Sequence, residues 1–173
     1  MKGAAVAAQA FTDLHWTCAR LQDLGALELH EALALRCRVF VVEQRCAYQD
    51  VDDIDHKAWH LMGRAAPGGP LLAVLRIVDP GACFTEPALG RVATAPEARG
   101  TGLGRRLLEQ GLQRCQALWP GQAVRISAQA HLQDFYGEQG FATVSEVYLE
   151  DDIAHVDMLR QPPCLDIQGV CNG

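Results

Sequence analysis

The sequence predicts a mixed α/β domain, in the α+β sense, with hairpins in its first half and a parallel crossover at its centre. Three observations carry this. Trp59 to Arg64 and Leu71 to Val78 are rich in β-forming side chains and flank Ala-Ala-Pro-Gly-Gly-Pro, so they read as an antiparallel hairpin. Leu89 to Ala95 is an apolar stretch that leads into Arg99-Gly100-Thr101-Gly102-Leu103-Gly104 and then a strongly helical segment from Arg105. Val124 to Ala130 returns as a strand, parallel to 89–95 if the intervening helix makes a right-handed crossover.

Taken in order, Leu14, Trp16 and Cys18 alternate within 12–18 and predict a first strand with one buried face. A helix follows Gly25. Its apolar stripe is read as Leu29, Leu33, Cys37 and Phe40, with Arg36 and Arg38 elsewhere. The run from Val39 to Asp55 then joins a hydrophobic segment to Asp50, Asp52, Asp53 and Asp55. An EF-hand does not fit, because no Gly stands sixth from any of these Asp residues and Leu61 occupies the place where Asp50 would require Glu. The run reads either as a solvated acidic loop or as a negative rim that attracts a cationic substrate such as a primary amine. His56 and His60 do not make a zinc-protease motif, since Lys57 stands where Glu is needed.

Beyond the hairpin, 79–87 reads as irregular chain. After the glycine loop, Leu103, Leu107, Leu108, Gly111, Leu112, Cys115 and Leu118 line one face of a helix that should stop by Pro120-Gly121. Leu132 to Gln139 predicts a short helix closed by Gly140. Phe141 to Tyr148 and Ile153 to Leu159 predict a final strand pair around Glu150-Asp151-Asp152.

The glycine loop carries the strongest chemical signal. Alternate glycines at a strand-to-helix junction let the main chain turn tightly and expose consecutive N–H groups where the helix dipole is positive. Arg99 and Arg105 flank it with guanidinium groups suited to phosphate oxygens. The alternative is a plain glycine-rich turn. A P-loop is excluded because the only lysines are Lys2 and Lys57, and the dinucleotide fingerprint fails because Arg105 and Leu107 stand where its last Gly is required.

Composition narrows the class further. The chain has 173 residues, 49% hydrophobic and 21% charged, enough for one domain with a substantial core. A formal net charge of −6 argues against a broad nucleic-acid surface. The cysteines at 18, 37, 46, 83, 115, 164 and 171 include no Cys-x-x-Cys, so no zinc cluster is implied, and reduced thiols are expected except for oxidation at Cys164 and Cys171. No stretch approaches the roughly 18 apolar residues of a membrane span, so a membrane is not an expected partner, nor, given the charge, is nucleic acid, and a cytoplasmic location is the default. The expected organisation is a loosely ordered segment at 1–11, a domain at 12–160 and a tail at 161–173. Ser127 and Ser145 lie in no Gly-x-Ser-x-Gly, which sets covalent hydrolases aside.

Arg91-Val92-Ala93-Thr94-Ala95-Pro96 ahead of the glycine loop, and Phe135-Tyr136-Gly137-Glu138-Gln139-Gly140-Phe141, resemble the corresponding segments of the GNAT N-acetyltransferase family. Leu35 to Gln44, Tyr48-Gln49-Asp50, Gln129 to Gln133 and Glu146-Val147-Tyr148 look like its ElaA-like subgroup. The resemblance covers roughly 13–160. It implies a GNAT fold, a mixed sheet whose two central parallel strands splay apart, with the pantetheine arm of acetyl-CoA in the opening.

Val92, Ala93 and Thr94 would bond that arm through the main chain, and Arg99, Gly100, Thr101, Gly102, Leu103, Gly104 and Arg105 would hold the pyrophosphate. Gln129 stands where many members carry an Asn that contacts CoA. No metal is implied. The implied reaction is attack by an amine of a small molecule, peptide or protein on the acetyl thioester. Tyr136 occupies the general-acid position. His155 is the candidate base, with His131 and Glu43 as rivals and a water-mediated route also open. A non-catalytic CoA-binding or protein-interaction module of the same fold and an acyl-homoserine-lactone synthase, the latter suggested by Arg36-x-x-Val39-Phe40, are the competing readings. A homodimer is left open.

Overall fold

Strand and helix propensities place β1 (His15–Arg20), β2 (Ala58–Arg64) and β3 (Leu71–Val78) as an antiparallel meander, followed by β4 (Ala88–Thr94). The computed structural model describes residues 14–163. The expected segment 1–11, the start of the first strand at 12–13, Cys164 and Cys171 with the tail from 164 lie outside the described residues. The sheet order is β1-β2-β3-β4-β5-β8-β6, where β5 is Val124–Gln129, β8 is Ile153–Arg160 and β6 is Ala142–Thr143; β7 (Tyr148–Glu150) also pairs with β8. All neighbours are antiparallel except β4 and β5.

Two long helices cover the sheet. Helix α1 (Ala26–Arg36) continues as a wider, π-helical stretch through Cys37–Glu43, and α2 (Leu103–Leu118) makes the crossover between β4 and β5. Leu75 packs on α2 at Gly111, while the next residue, Arg76, turns toward the α1 side, where it shares Asp55 with Arg36. Successive residues of a strand point to opposite faces, so the helices sandwich the sheet. Double-sided cover explains why β2 and β3 read as near-continuous apolar runs, with Leu61, Met62, Leu75 and Ile77 at the centre of the core. The α2 face follows its spacing for most of its length, with Leu103, Leu107, Leu108, Gly111 and Cys115 buried; Leu112 is half-buried, and Leu118, also expected on this face, is exposed at the end of the helix. A Cβ on Gly111 would meet Leu75 at 3.0 Å, so glycine lets the helix approach. Cys18, Cys37, Cys46, Cys83 and Cys115 are free thiols.

Three expectations are corrected. The buried face of α1 and its extension is Ala32, Leu35, Arg36 and Val39, with Cys37 exposed, so the stripe is rotated from the predicted one. Arg36 is drawn inward because its guanidinium bonds Asp50 and Asp55. The acidic run is neither a solvated loop nor a free negative rim: Asp50 and Asp55 are buried, and Arg36, Arg76 and Arg91 neutralise Asp50, Asp52 and Asp55. The expected strand from Phe141 to Tyr148 is broken between β6 and β7, where Ser145 Oγ, rather than a main-chain oxygen, accepts the Asp157 N–H at 2.8 Å.

Candidate functional site

The site begins with a fault in the sheet. On β3, Val74 pairs with Ala93 and Arg76 with Gly90, so three-residue spacing on β4 faces two-residue spacing on β3. The extra residue is a bulge, and Arg91 within it has φ 50, a left-handed conformation uncommon for a side chain this long. A bulge bends its strand. Accordingly, β4 and β5 pair only at Ala88 with Arg125 and Leu89 with Ile126. Beyond them the strands part around a cleft of about 430 Å³ that reaches Val92, Thr94, Gln129, Tyr136 and His155.

The cleft continues to the glycine loop. A second hollow, about 320 Å³, lies between Gly100 to Arg105 and Phe135, and it shares Val92, Thr94, Arg99, Leu132 and Tyr136 with the first. The two are ends of one groove. Gly100 and Gly102 take φ 74 and 80, the left-handed region that favours glycine; Gly104 does not, and a Cβ there would lie 3.6 Å from the Phe135 ring. Gly102 caps α2 without a side-chain bond, and the first helical bond is Arg106 N–H to Gly102 oxygen. The N–H groups of Leu103, Gly104 and Arg105 therefore lack helical acceptors and face the N-terminal end. Thr101 does a different job, bonding Ala98 oxygen at 2.7 Å to close the turn.

Residues 53–161 match the family model described as an acetyltransferase (GNAT) domain. The chain belongs to the GNAT acetyltransferase family. A UPF0039 protein of Synechocystis is 41% identical, covering 87% of this chain and 98% of its own. The crystal structure of an acyl-CoA N-acyltransferase from Pseudomonas aeruginosa is 49% identical, covers 86% of this chain and 99% of its own, and has a TM-score of 0.80. That of Escherichia coli ElaA is 37% identical, covers 86% and 100%, and has a TM-score of 0.79. The chain is thus a GNAT-type acyltransferase with the expected mixed sheet and splayed parallel pair.

Within this GNAT groove, Tyr136 on α3 (Gln133–Gly137) stands at the junction of the two hollows. Its ring is wedged edge-on between Phe135 and Phe141, at 5.1 and 6.0 Å between centroids, and burial pushes its phenol up to about 12. It keeps its proton at neutral pH. His155 lies on the opposite wall, paired with Gln129 across β5 and β8. Its Nδ1 is 2.8 Å from Ile153 oxygen, an acceptor only, so Nδ1 carries a proton and Nε2 is the ring nitrogen left to take up or release one. Of its rivals, His131 is exposed at the groove edge. Glu43 is engaged: Arg99 donates Nη1 and Nη2 to its two oxygens at 2.6 and 2.9 Å, and those bonds hold the carboxyl below its usual range. Arg105 is likewise paired with Glu138.

Sequence reading missed a polar wall beside His155. Ser127 Oγ bonds the Tyr148 hydroxyl, which donates to Asp157 Oδ1 at 2.9 Å, and the Tyr148 ring stacks on His155. Ser127 and Glu150 line the groove. The available signal was the alternation of β5, which puts Val124, Ile126 and Ala128 in the core and Ser127 on the other side. Among the described residues no group of His, Cys, Asp and Glu could hold a metal ion, and no helix is long and apolar enough to cross a membrane.

Proposed function

We propose that this GNAT enzyme moves an acetyl group from acetyl-CoA to an amine by direct attack, without an acyl-enzyme. The continuity of the groove carries the reading: one end opens on the N-terminus of α2, and the other runs between a protonated Tyr136 and His155. The loop fits a diphosphate. A Cβ at Gly100 or Gly102 would meet nothing within 4 Å, so there is open space beside main-chain N–H groups that lack helical acceptors.

Val92, Ala93 and Thr94 would hold the pantetheine arm through main-chain groups along the edge that β5 no longer pairs. Arg99 and Arg105 would release Glu43 and Glu138 to take up pyrophosphate oxygens. Acetyl-CoA supplies an activated thioester carbonyl when bound. His155 would accept a proton at Nε2 from the acceptor ammonium, directly or through water; Tyr136 would give its phenolic proton to the departing sulfur, and the second proton that nitrogen loses as the amide forms would restore the Tyr136 phenol. The acceptor is an amine of a small molecule, a peptide or a protein.

The first test is the melting temperature with and without acetyl-CoA. At about 100 times its dissociation constant, ligand linkage stabilises by roughly 2.7 kcal/mol, which is about 5 to 10 °C for a chain of this size. No shift at millimolar ligand with folded protein sinks the proposal. Where the shift is found, an amine screen read by thiol release follows, and Tyr136→Phe should bind acetyl-CoA as before while kcat falls by about 100-fold. Binding with no turnover for any amine would instead mark a non-catalytic CoA-binding module.

A further inference from the structure

The left-handed residue in the β4 bulge is an arginine that itself lines the groove, as Tyr48 does, and its side chain is tied to the acidic run. Arg91 Nε lies 2.8 Å from Asp50 Oδ1, and Nη2 donates to Asp50 oxygen at 3.2 Å and Asp52 Oδ2 at 3.3 Å. The guanidinium also sits 5.5 Å from the Tyr48 ring centre. Neither carboxylate is free to move. Arg36 Nε and the Tyr48 hydroxyl each hold Asp50 at 2.9 Å, while Arg76 holds Asp52 at 2.5 and 3.1 Å. Asp52 Oδ1 further accepts the N–H groups of Ile54 and Asp55. Asp55 then bridges Arg36 and Arg76, closing a set of three carboxylates and three guanidiniums.

A side chain in the left-handed region strains its own backbone, and such a residue persists only where its surroundings over-determine it. Arg91 meets that condition through both carboxylates. We infer that Asp50 and Asp52 hold Arg91 in the conformation that bulges β4, making Arg91 a positioning residue for the acyl-CoA-facing main chain of Val92, Ala93 and Thr94. The acidic run thus acts on the groove through the backbone. The ligand consequence rests on the function proposed above; the backbone consequence does not.

Two variants separate the backbone role from every other. Arg91→Ala keeps the unfavourable φ and loses the ties, so the strand relaxes toward regular pairing; Arg91→Gly loses the ties but accepts the positive φ at no steric cost. By calorimetry, Arg91→Ala should bind acetyl-CoA about tenfold more weakly, the scale of one unsupported left-handed residue, and Arg91→Gly within about threefold of the parent. Wild-type affinity in a folded Arg91→Ala overturns the inference. Equal loss in both variants overturns it too, since the guanidinium itself would then be what matters. The crystal structure of Arg91→Ala supplies a readout that needs no ligand: closure of the extra residue between Gly90 and Ala93 supports the inference, and an unchanged bulge defeats it. If the parent protein binds no acetyl-CoA, the proposed function fails while this register measurement still decides the role of Arg91. Should Arg91→Ala fail to fold while Arg91→Gly folds, strain is confirmed as the deciding factor; failure of both shows a general core role and overturns it.

Discussion

The protein uses the same chemical pair, guanidinium with carboxylate, in two places and to opposite ends. Beside the bulge, Arg36 and Asp55 are 2% exposed, and every carboxylate of the set is shared or multiply bonded. At the glycine loop, the Arg99 and Glu43 side chains are each 42% exposed, and those of Arg105 and Glu138 each 53%. Breaking a buried pair by removing one partner costs about 3 to 5 kcal/mol, because a charge is left without counterion or water. An exposed pair is worth about 0 to 1 kcal/mol. Burial therefore separates the roles: the inner arginines are held in place, and under the proposed function the outer ones would exchange a carboxylate for a phosphate at small cost.

The sharpest way to break the inner set is Asp55→Asn, which keeps the volume but takes the shared charge from Arg36 and Arg76. We expect a loss of about 3 to 5 kcal/mol, a fall in Tm of about 6 to 20 °C, read by thermal denaturation. The pH dependence carries the same sign. Burial alone would raise the Asp55 carboxyl, but bonds from Arg36 and then Arg76 outweigh it and hold it at about 2, against 3.8 for the free group. A depressed carboxyl stabilises fully above the unfolded value and loses that contribution as pH falls toward the folded one. The parent protein should therefore lose stability between about pH 4 and pH 2, and the Tm difference from Asp55→Asn should shrink over that interval. A constant difference would show that Asp55 does not stabilise through its charge.

The loop offers a smaller break. Gly102→Ala puts a Cβ at φ 80, where space is open but the backbone conformation is not favoured. Acetyl-CoA affinity should fall by about tenfold with only a modest change in Tm, whereas Gly104→Ala, at an ordinary helical φ, should cost less. Equal effects at the two positions would mean that contact with Phe135, rather than backbone angle, governs the grip.

These contrasts also explain what could be read from the chain. The hairpin, the parallel crossover and most of the α2 face rest on local spacing and turn chemistry, and local signals survive in sequence; Tyr136 was singled out through the family resemblance alone. The inner ionic set does not, because Arg36, Arg76 and Arg91 are scattered over three elements and only the fold brings them to Asp50, Asp52 and Asp55. A run of aspartates looks solvated until its counterions are known. The bulge was equally hidden: positive φ usually announces itself through Gly or Asn, and here an arginine occupies the place. For the same reason the inward turn of Arg36 rotated the buried face of α1 away from its apolar stripe, and the Ser127, Tyr148 and Asp157 wall came from strand pairing that no single stretch encodes.

The smallest expected effect is the most telling about the outer pairs. Glu43→Gln frees Arg99 from its carboxylate and so removes an internal competitor for pyrophosphate. Acetyl-CoA should bind more tightly, by about two- to fivefold, which corresponds to the up to 1 kcal/mol that an exposed pair is worth, and the melting temperature without ligand should hardly move. Added salt screens an exposed pair far more than a buried one, so the gap between Glu43→Gln and the parent protein should narrow as ionic strength rises. Affinity measured by calorimetry at two salt concentrations checks both statements. Weaker binding in Glu43→Gln would reverse the argument, because it would mean that Glu43 aims Arg99 at the ligand instead of withholding it.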